Sequence, residues 1–373
     1  MLKSKLIMCI LIVIIFLSII CMEKEVFLVM PKSELLEVAL LPIIEVERVD
    51  KMVPLKYTSH EFEAGMNILI YGHPDLNEVR DTFEDLRNLG INSVSLNFPL
   101  YQSDWQANQV TTSPEYTPTV EELYDVIVIA QEYDLGVMIR PILDEQVFMA
   151  DGLWRGQIKP SDPDSWFDSY QSIIITYAQL AESSKAESLN IGTEFNSMQS
   201  RYQDRWIELI ESVRQVYHGK LLYSFNYDTV LEIPSLEFVK HLDQVGIDAY
   251  FPLNVPDHAS VDMLTEEWHR QIVQLKEALS DYPIVITEVG ILPYEGVYRT
   301  PYVWSFPNGN YDPQTQAIYY EATYNVWKPL VEGIYWWVVT LGQDPNETSF
   351  SPLNLPTEDV LKKYFLKYSK VIE

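Results

Sequence analysis

The sequence predicts a single closed (β/α)8 barrel of the α/β class, and three observations lead there. Apolar, β-rich runs alternate with amphipathic helical stretches from Gly65 to Thr340. The runs are nearly continuous in Val, Ile, Leu and aromatics, the signature of a parallel sheet covered on both faces. They number eight, and eight such repeats favour a closed barrel over an open doubly wound sheet, whose Gly-rich phosphate turn is also missing here.

The strand expectations are GMNILIYG (65–72), INSVSLNFPL (91–100), LGVMIRPIL (135–143) and SLNIGTEFN (188–196), then KLLYSFNY (220–227), QVGIDAYFPL (244–253), PIVITEVGI (283–291) and EGIYWWVVT (332–340). Helical periodicity fills most of the gaps. Leu76, Val79, Phe83, Leu86 and Leu89 recur at three- and four-residue steps. Thr119 and Glu122 form a capping box at the head of Thr119–Tyr133. Trp166–Ala181, Trp206–Tyr217, Val261–Leu279 and Thr315–Trp327 show the same amphipathic pattern.

Composition narrows the function. The chain has 373 residues, 47% of them hydrophobic, enough for a sizeable core. Its net charge of −28 repels nucleic acid and anionic membranes and suits a soluble protein acting on a neutral substrate. Both cysteines, Cys9 and Cys21, lie in the first 22 residues, so the body has no disulfide, thiol nucleophile or thiolate metal site. None of the six histidines falls at metal-ligand spacing, and there is no GxSxG elbow or Walker loop, so no cofactor or metal is expected.

The amino terminus reads as targeting. Lys3 and Lys5 precede the apolar run Leu6–Met22, broken only by Ser18. A positive start and an apolar core describe an export signal. No small-x-small cleavage site follows, so residues 1–22 fit a cleaved signal peptide, a retained membrane anchor, or a lipid-modified Cys21. Each outcome places the body outside the cytoplasm, secreted or tethered to the outer face of the membrane. Residues 23–58 read as an acidic tether, and 59–373 as the barrel domain, expected to be a monomer.

In such a barrel, chemistry sits at the carboxyl ends of the strands. Polar and aromatic residues stand there on every strand: Tyr71 and His73 on the first, Asn97 on the second, Arg140 on the third. Glu194 and Asn196 follow on the fourth, with Asn226, Tyr227 and Asp228 on the fifth. Asp248 and Tyr250 are on the sixth, Glu288 on the seventh, Trp336 and Trp337 on the eighth. Glu194 in NIGTEFNS and Glu288 in VITEVG each follow an apolar run and a Thr. Strands 4 and 7 lie nearly opposite across the ring, so both carboxyls can reach the axis. Two carboxyls facing one bond is what glycoside hydrolysis requires, one protonated and one ionised. Burial and a second negative charge would raise Glu194, while Arg140 and the polar groups of strands 5 and 6 would keep Glu288 ionised.

DGLWRGQIKP (151–160), WFDSY (166–170), IGTEFNS (191–197), YSFNYD (223–228), VGIDAYFPL (245–253), ITEVGI (286–291) and YWW (335–337) together resemble glycoside hydrolase family 113, the clan A retaining endo-β-1,4-mannanases. The resemblance runs in order over roughly residues 60–345. It implies that Glu194 is the acid/base, Glu288 the nucleophile, and that Tyr250 contacts the nucleophile. Many members of the wider clan carry Asn immediately before the acid/base. Here that residue is Thr193, which leaves open what binds the sugar 2-hydroxyl.

The expected substrate contacts are Asn97, Arg140, Trp154, Asn196, Asn226, Tyr227, Asp248, Tyr250, Trp336 and Trp337. Strand alternation sends one of Trp336 and Trp337 into the cleft, as a floor for the sugar, and the other toward the helices. The loop residues Trp105, Trp154 and Trp304 fit stacking platforms or loop pins, and Arg140 could instead bridge Asp144. The chain therefore reads as a retaining endo-glycosidase acting on β-1,4-mannan or glucomannan. A different clan A β-glycanase (a glucanase or galactanase) and a catalytically silent carbohydrate-binding protein are the alternatives.

Overall fold

Eight parallel strands pair in sequence order, and β8 returns to β1 to close the ring. They are β1 Glu63–Leu69, β2 Ser93–Leu100, β3 Gly136–Leu143, β4 Ser188–Thr193, β5 Lys220–Asn226, β6 Gln244–Asp248, β7 Ile284–Val289 and β8 Gly333–Thr340. This computed structural model describes residues 60–342 and 349–368. The leader and the acidic stretch 23–58 lie outside the described residues. Among the described residues no helix is long and apolar enough to cross a membrane.

Besides the single turns Gln146–Met149 and Asn196–Gln199, the helices are α1 Leu76–Asn88, α2 Val120–Glu132, α3 Pro163–Ser184, α4 Gln203–Arg214, α5 Val261–Ala278, α6 Pro313–Trp327 and α7 Thr357–Phe365. Local chemistry starts most of them. Thr119 and Glu122 close the expected capping box, with the Thr119 N–H donating to Glu122 at 2.8 Å. Asp162 and Asp312 cap α3 and α6, each followed by Pro, which suits the first helical turn. One crossover departs from the α/β alternation. Between β5 and β6 the chain makes two 3-10 turns, Val230–Ser235 and Glu237–His241, with Pro234 inside the first. Proline lacks the N–H and obstructs an α-helix there.

Inside the barrel Met138, Leu222, Val285 and Tyr335 form a buried layer of their own. Gly65 of β1 makes room for the Tyr335 ring, since a Cβ at Gly65 would sit 2.4 Å from it. On the outside, α7 closes against the end of α1 at Gly90, whose φ is +90° and whose absent Cβ would fall 2.4 Å from the Leu366 nitrogen. A side chain there would be both strained and in collision.

Above the apolar layer the interior turns polar. Asn67 of β1 donates to the Thr287 carbonyl at 3.0 Å, and Asn97 of β2 donates to Asn67 at 3.0 Å. Arg140 of β3 donates to Asn97 at 3.1 Å. This buried ladder is the floor on which the site is built.

Candidate active site

A cavity of about 740 Å³ opens at the carboxyl ends of the strands, with residues from all eight strands or the residues just past them in its wall. Glu194 and Glu288 both line it. Both carboxyls are nearly buried, at 7% and 6% exposure, so each needs partners.

Glu288 is held from two sides. Arg140 donates to its Oε1 at 2.5 Å and Tyr250 to its Oε2 at 2.8 Å. The other guanidinium nitrogen of Arg140 reaches both oxygens of Asp248, at 2.9 and 3.0 Å. Thr287 fixes Asp248 with a hydroxyl donated at 2.7 Å. Burial opposes charge on Arg140, but Asp248 and Glu288 beside it outweigh that and raise its pKa. Burial, then Glu288, pushes the Tyr250 hydroxyl well above its ordinary range, so it remains a donor.

Glu194 sits differently. β4 ends irregularly, with a register shift against β5 between Asn190 and Thr193. Glu194 then takes φ +55°, left-handed backbone that costs a non-glycine residue about 1–2 kcal/mol. Neighbours hold this kink. The Glu194 N–H donates to the Ser224 carbonyl at 2.9 Å, and the Phe195 N–H to the Tyr223 hydroxyl at 3.0 Å. The carboxyl accepts from Asn226 at 2.9 Å and from Arg155 at 2.8 Å. Burial raises its pKa to about 7; Arg155 opposes this, while Glu288 and Glu145 add to it. A carboxyl that holds a proton near neutrality thus shares one cavity with an arginine-paired carboxylate.

Several expected contacts line the cavity: Trp154, Asn226, Tyr227, Tyr250 and Trp337. Asn97, Arg140, Asn196, Asp248 and Trp336 do not. Asn97, Arg140 and Asp248 are fully buried in the polar floor, where Arg140 pairs with Glu288 and Asp248 rather than with Asp144. Asn196 donates instead to Asp228 at 3.0 Å. Trp336 faces the helices and stacks on Tyr320 of α6 with ring centroids 3.8 Å apart, so Trp337 is the member of the pair in the cleft. His73 pairs with Glu122 at the surface, and Thr193 is buried against Asn190. Neither lines the cavity.

The residues that sequence reasoning missed come from loops. Arg155, Glu145 and Tyr302 line the cavity, and Arg155 touches Glu194 directly. A charged pair ten residues apart in the β3–α3 loop, bracketing a Trp, was the available signal. Trp304, 60% exposed, stands edge-on to Trp337 with centroids 5.9 Å apart.

Solved structures share this arrangement of elements. A GH113 β-1,4-mannanase superposes with a TM-score of 0.72 at 21% identity, covering 82% of this chain and 99% of that one. A GH113 β-mannanase from Alicyclobacillus acidocaldarius, in complex with ManMIm, gives 0.71 at 23% identity, covering 82% and 97%. A β-glucuronidase from Ruminococcus gnavus gives 0.58 at 12% identity, covering 82% of this chain and 50% of that one. At these identities the likeness speaks to the fold alone. No curated protein gives a significant sequence match. The sequence profile of Glycoside Hydrolase Family 113 matches residues 71–349, three quarters of the chain. The chain therefore belongs to Glycoside Hydrolase Family 113 and is a glycoside hydrolase.

Proposed function

We propose that the protein is a retaining endo-glycosidase that cleaves β-1,4-linked mannan or glucomannan, with Glu288 as nucleophile and Glu194 as acid/base. The observation that carries this is the asymmetry of two carboxyls in one cavity. Glu288 is held by Arg140 and Tyr250 in the buried floor, whereas burial raises Glu194 to about 7 despite its own bond to Arg155.

In the first step Glu194 gives its proton to the glycosidic oxygen as the Glu288 carboxylate bonds to the anomeric carbon, and the aglycone leaves as an alcohol. In the second step Glu194, now a carboxylate, takes a proton from water. The resulting hydroxyl adds to the anomeric carbon, and the ester to Glu288 breaks. Two inversions give net retention. Trp337 supplies the apolar face for the sugar, and Asn226 is the amide beside Glu194 that can reach a hydroxyl.

The lining supports a neutral polymer. Asp144, Glu145, Asp228, Glu194 and Glu288 face the cavity, and Arg155, its one cationic lining residue, is already paired. Such a field repels uronic acids. The mannanase named among the similar structures points to mannan within that neutral class. The leader's charge pattern supports export, with the barrel secreted or tethered outside the cell membrane.

The experiment is reducing-sugar release from mannan, glucomannan, cellulose derivatives and galactan, with NMR of the first products. Release from mannan with the β-anomer first supports the proposal. Initial α-anomer rejects retention, and preference for another polymer rejects the substrate. Glu288→Ala should abolish turnover in a folded protein, and full activity would remove its role.

A further inference from the structure

Arg155 lies in a short 3-10 turn, Arg155–Gln157, of the β3–α3 loop. Its side chain is only 15% exposed and every group on it is engaged. Nη1 donates to Glu194 at 2.8 Å, Nε to the Leu143 carbonyl at 3.0 Å, and Nη2 lies 3.4 Å from Glu145. The Arg155 backbone N–H also donates to Glu145, at 3.1 Å. One guanidinium is thus shared by two carboxylates, only one of which has a role in the steps above.

We propose that Arg155 and Glu145 form a positioning pair that governs the proton on Glu194, Arg155 drawing it toward the carboxylate form and Glu145 holding part of that charge back. This deepens the proposed function and rests on Glu194 being the acid/base. The pair resolves a conflict within the cycle. The first step needs Glu194 protonated and the second needs it ionised. A guanidinium in full possession of Glu194 would strip the acid of its proton too early, and Glu145 limits that. When Glu288 becomes an ester, its negative charge disappears from the cavity. Arg155 then meets less opposition and Glu194 becomes the base. The same pair therefore serves both half-reactions without moving a backbone atom.

The other charged and titratable groups around Glu194 do not duplicate this role. From β7, Glu288 raises its proton affinity, and from β3, Arg140 lowers it. Arg140 is committed to Glu288 and Asp248, and Asp248 of β6 faces Arg140. Tyr223 and Tyr227 on β5 and just past it, and Tyr250 past β6, also feel Glu194. Burial raises all three, so they stay neutral hydroxyls across the working range. Arg155 is the cation that bonds Glu194 directly.

The test uses Arg155→Met, Arg155→Lys and Glu145→Gln in the full chain, each checked for native thermal unfolding. The basic limb of kcat/KM reports the acid in the free enzyme. Arg155→Met should move that limb to higher pH and Glu145→Gln should move it to lower pH, with Arg155→Lys staying near wild type. A pair that merely pins the loop would lower kcat in all three with no opposed displacement. With an activated aryl glycoside, Arg155→Met should also show a pre-steady-state burst, because a Glu194 that keeps its proton slows the second step. Titration of 13C-labelled glutamate by NMR reads the Glu194 carboxyl without turnover, and shifts of the same sign in Arg155→Met and Glu145→Gln overturn the proposal. An inactive wild type with opposed NMR shifts would instead sink the functional reading and leave the pair standing.

Discussion

Arg140 binds Glu288 through one guanidinium nitrogen and Asp248 through the other, with no part of its side chain exposed. A fully buried cation is stable only while a carboxylate stays beside it, and buried carboxylates only while the cation does. Removing the cation leaves two buried carboxyls without a counter-ion, and burial already pushes Asp248 toward its neutral form against Arg140. Arg140→Met should therefore lower stability by about 3–5 kcal/mol, the usual cost of breaking a buried pair from one side. Arg140→Lys should fare little better, because an ammonium cannot bond both carboxylates in the plane of a fork. Asp248→Asn keeps Arg140 in place and should retain the fold while lowering kcat. Calorimetry alongside kinetics checks both, and a wild-type Tm in Arg140→Met would contradict the assignment of the floor.

The two adjacent tryptophans of β8 should separate cleanly in mutagenesis. Trp337 lines the cavity, so Trp337→Ala removes an apolar wall that, under the proposed function, is the sugar's platform. Loss of a buried aromatic anchor costs on the order of 2 kcal/mol or more of binding, a fall in kcat/KM of tenfold to a hundredfold. Trp336 is stacked on Tyr320 and away from the cleft. Trp336→Phe should lower the Tm by a few degrees with KM retained. Steady-state kinetics on mannan oligosaccharides, beside thermal unfolding, gives both numbers. A raised KM from Trp336→Phe alone would reverse the orientation.

The barrel was legible because its strands are long apolar runs whose burial leaves no choice of period. All eight strands fall within the expected segments or a few residues from them. Strand ends were less clear. The run at 244–253 is a strand only to Asp248, since the chain must turn outward to bring Tyr250 over Glu288. Glu194 and Glu288 were readable as carboxyls ending apolar strands. Their sorting, with Arg140 beside Glu288 and burial raising Glu194, was readable too; the contacts of Arg155 and Glu145 around Glu194 were not, because they approach through a loop whose path leaves no periodic trace. Asn97 and Asp248 illustrate the opposite error. A polar residue near a strand end looks like a substrate contact, yet two residues deeper along the same face makes it floor: Pro99 and Tyr250 line the cavity where Asn97 and Asp248 do not.

At the opposite end of the barrel, stability should depend on pH through Glu187. It is buried beside Glu63, and the pair has Lys220 as its cation, 2.9 Å from Glu63 and 3.8 Å from Glu187. Tyr335 donates to Glu63 at 2.9 Å. Burial first, then Glu63, pushes the Glu187 carboxyl up to about 8, with Lys220 opposing. The folded protein thus holds a proton that the unfolded chain releases near its ordinary value of 4.5. Below that value the group contributes fully, and its contribution falls away as pH rises toward 8. Glu187→Gln keeps the shape and removes the titration. Its Tm relative to wild type should rise steadily between pH 5 and 8 and level off above. A difference independent of pH would show that Glu187 is ionised throughout.

The hydroxyl of Tyr250 is the last contact on Glu288 that can be removed without disturbing the floor. It donates to Oε2 at 2.8 Å while Arg140 occupies Oε1, so the two donors fix the carboxylate plane. Tyr250→Phe deletes one atom and keeps the ring packed. A hydrogen bond to a charged group is worth about 1.5–3 kcal/mol, which sets the expected loss in kcat/KM at roughly tenfold to a hundredfold. The loss should be in kcat more than in KM, because the bond orients the attacking oxygen rather than holding the sugar. Tyr250 bonds Glu288 and not Glu194, so its removal should leave the basic limb of the pH profile in place. The contrast with Arg155→Met is diagnostic: one variant lowers the profile and the other displaces it. Michaelis parameters across pH on one soluble mannan oligosaccharide decide this, and a displaced basic limb in Tyr250→Phe would mean that the hydroxyl governs the ionisation of Glu194 rather than the orientation of Glu288.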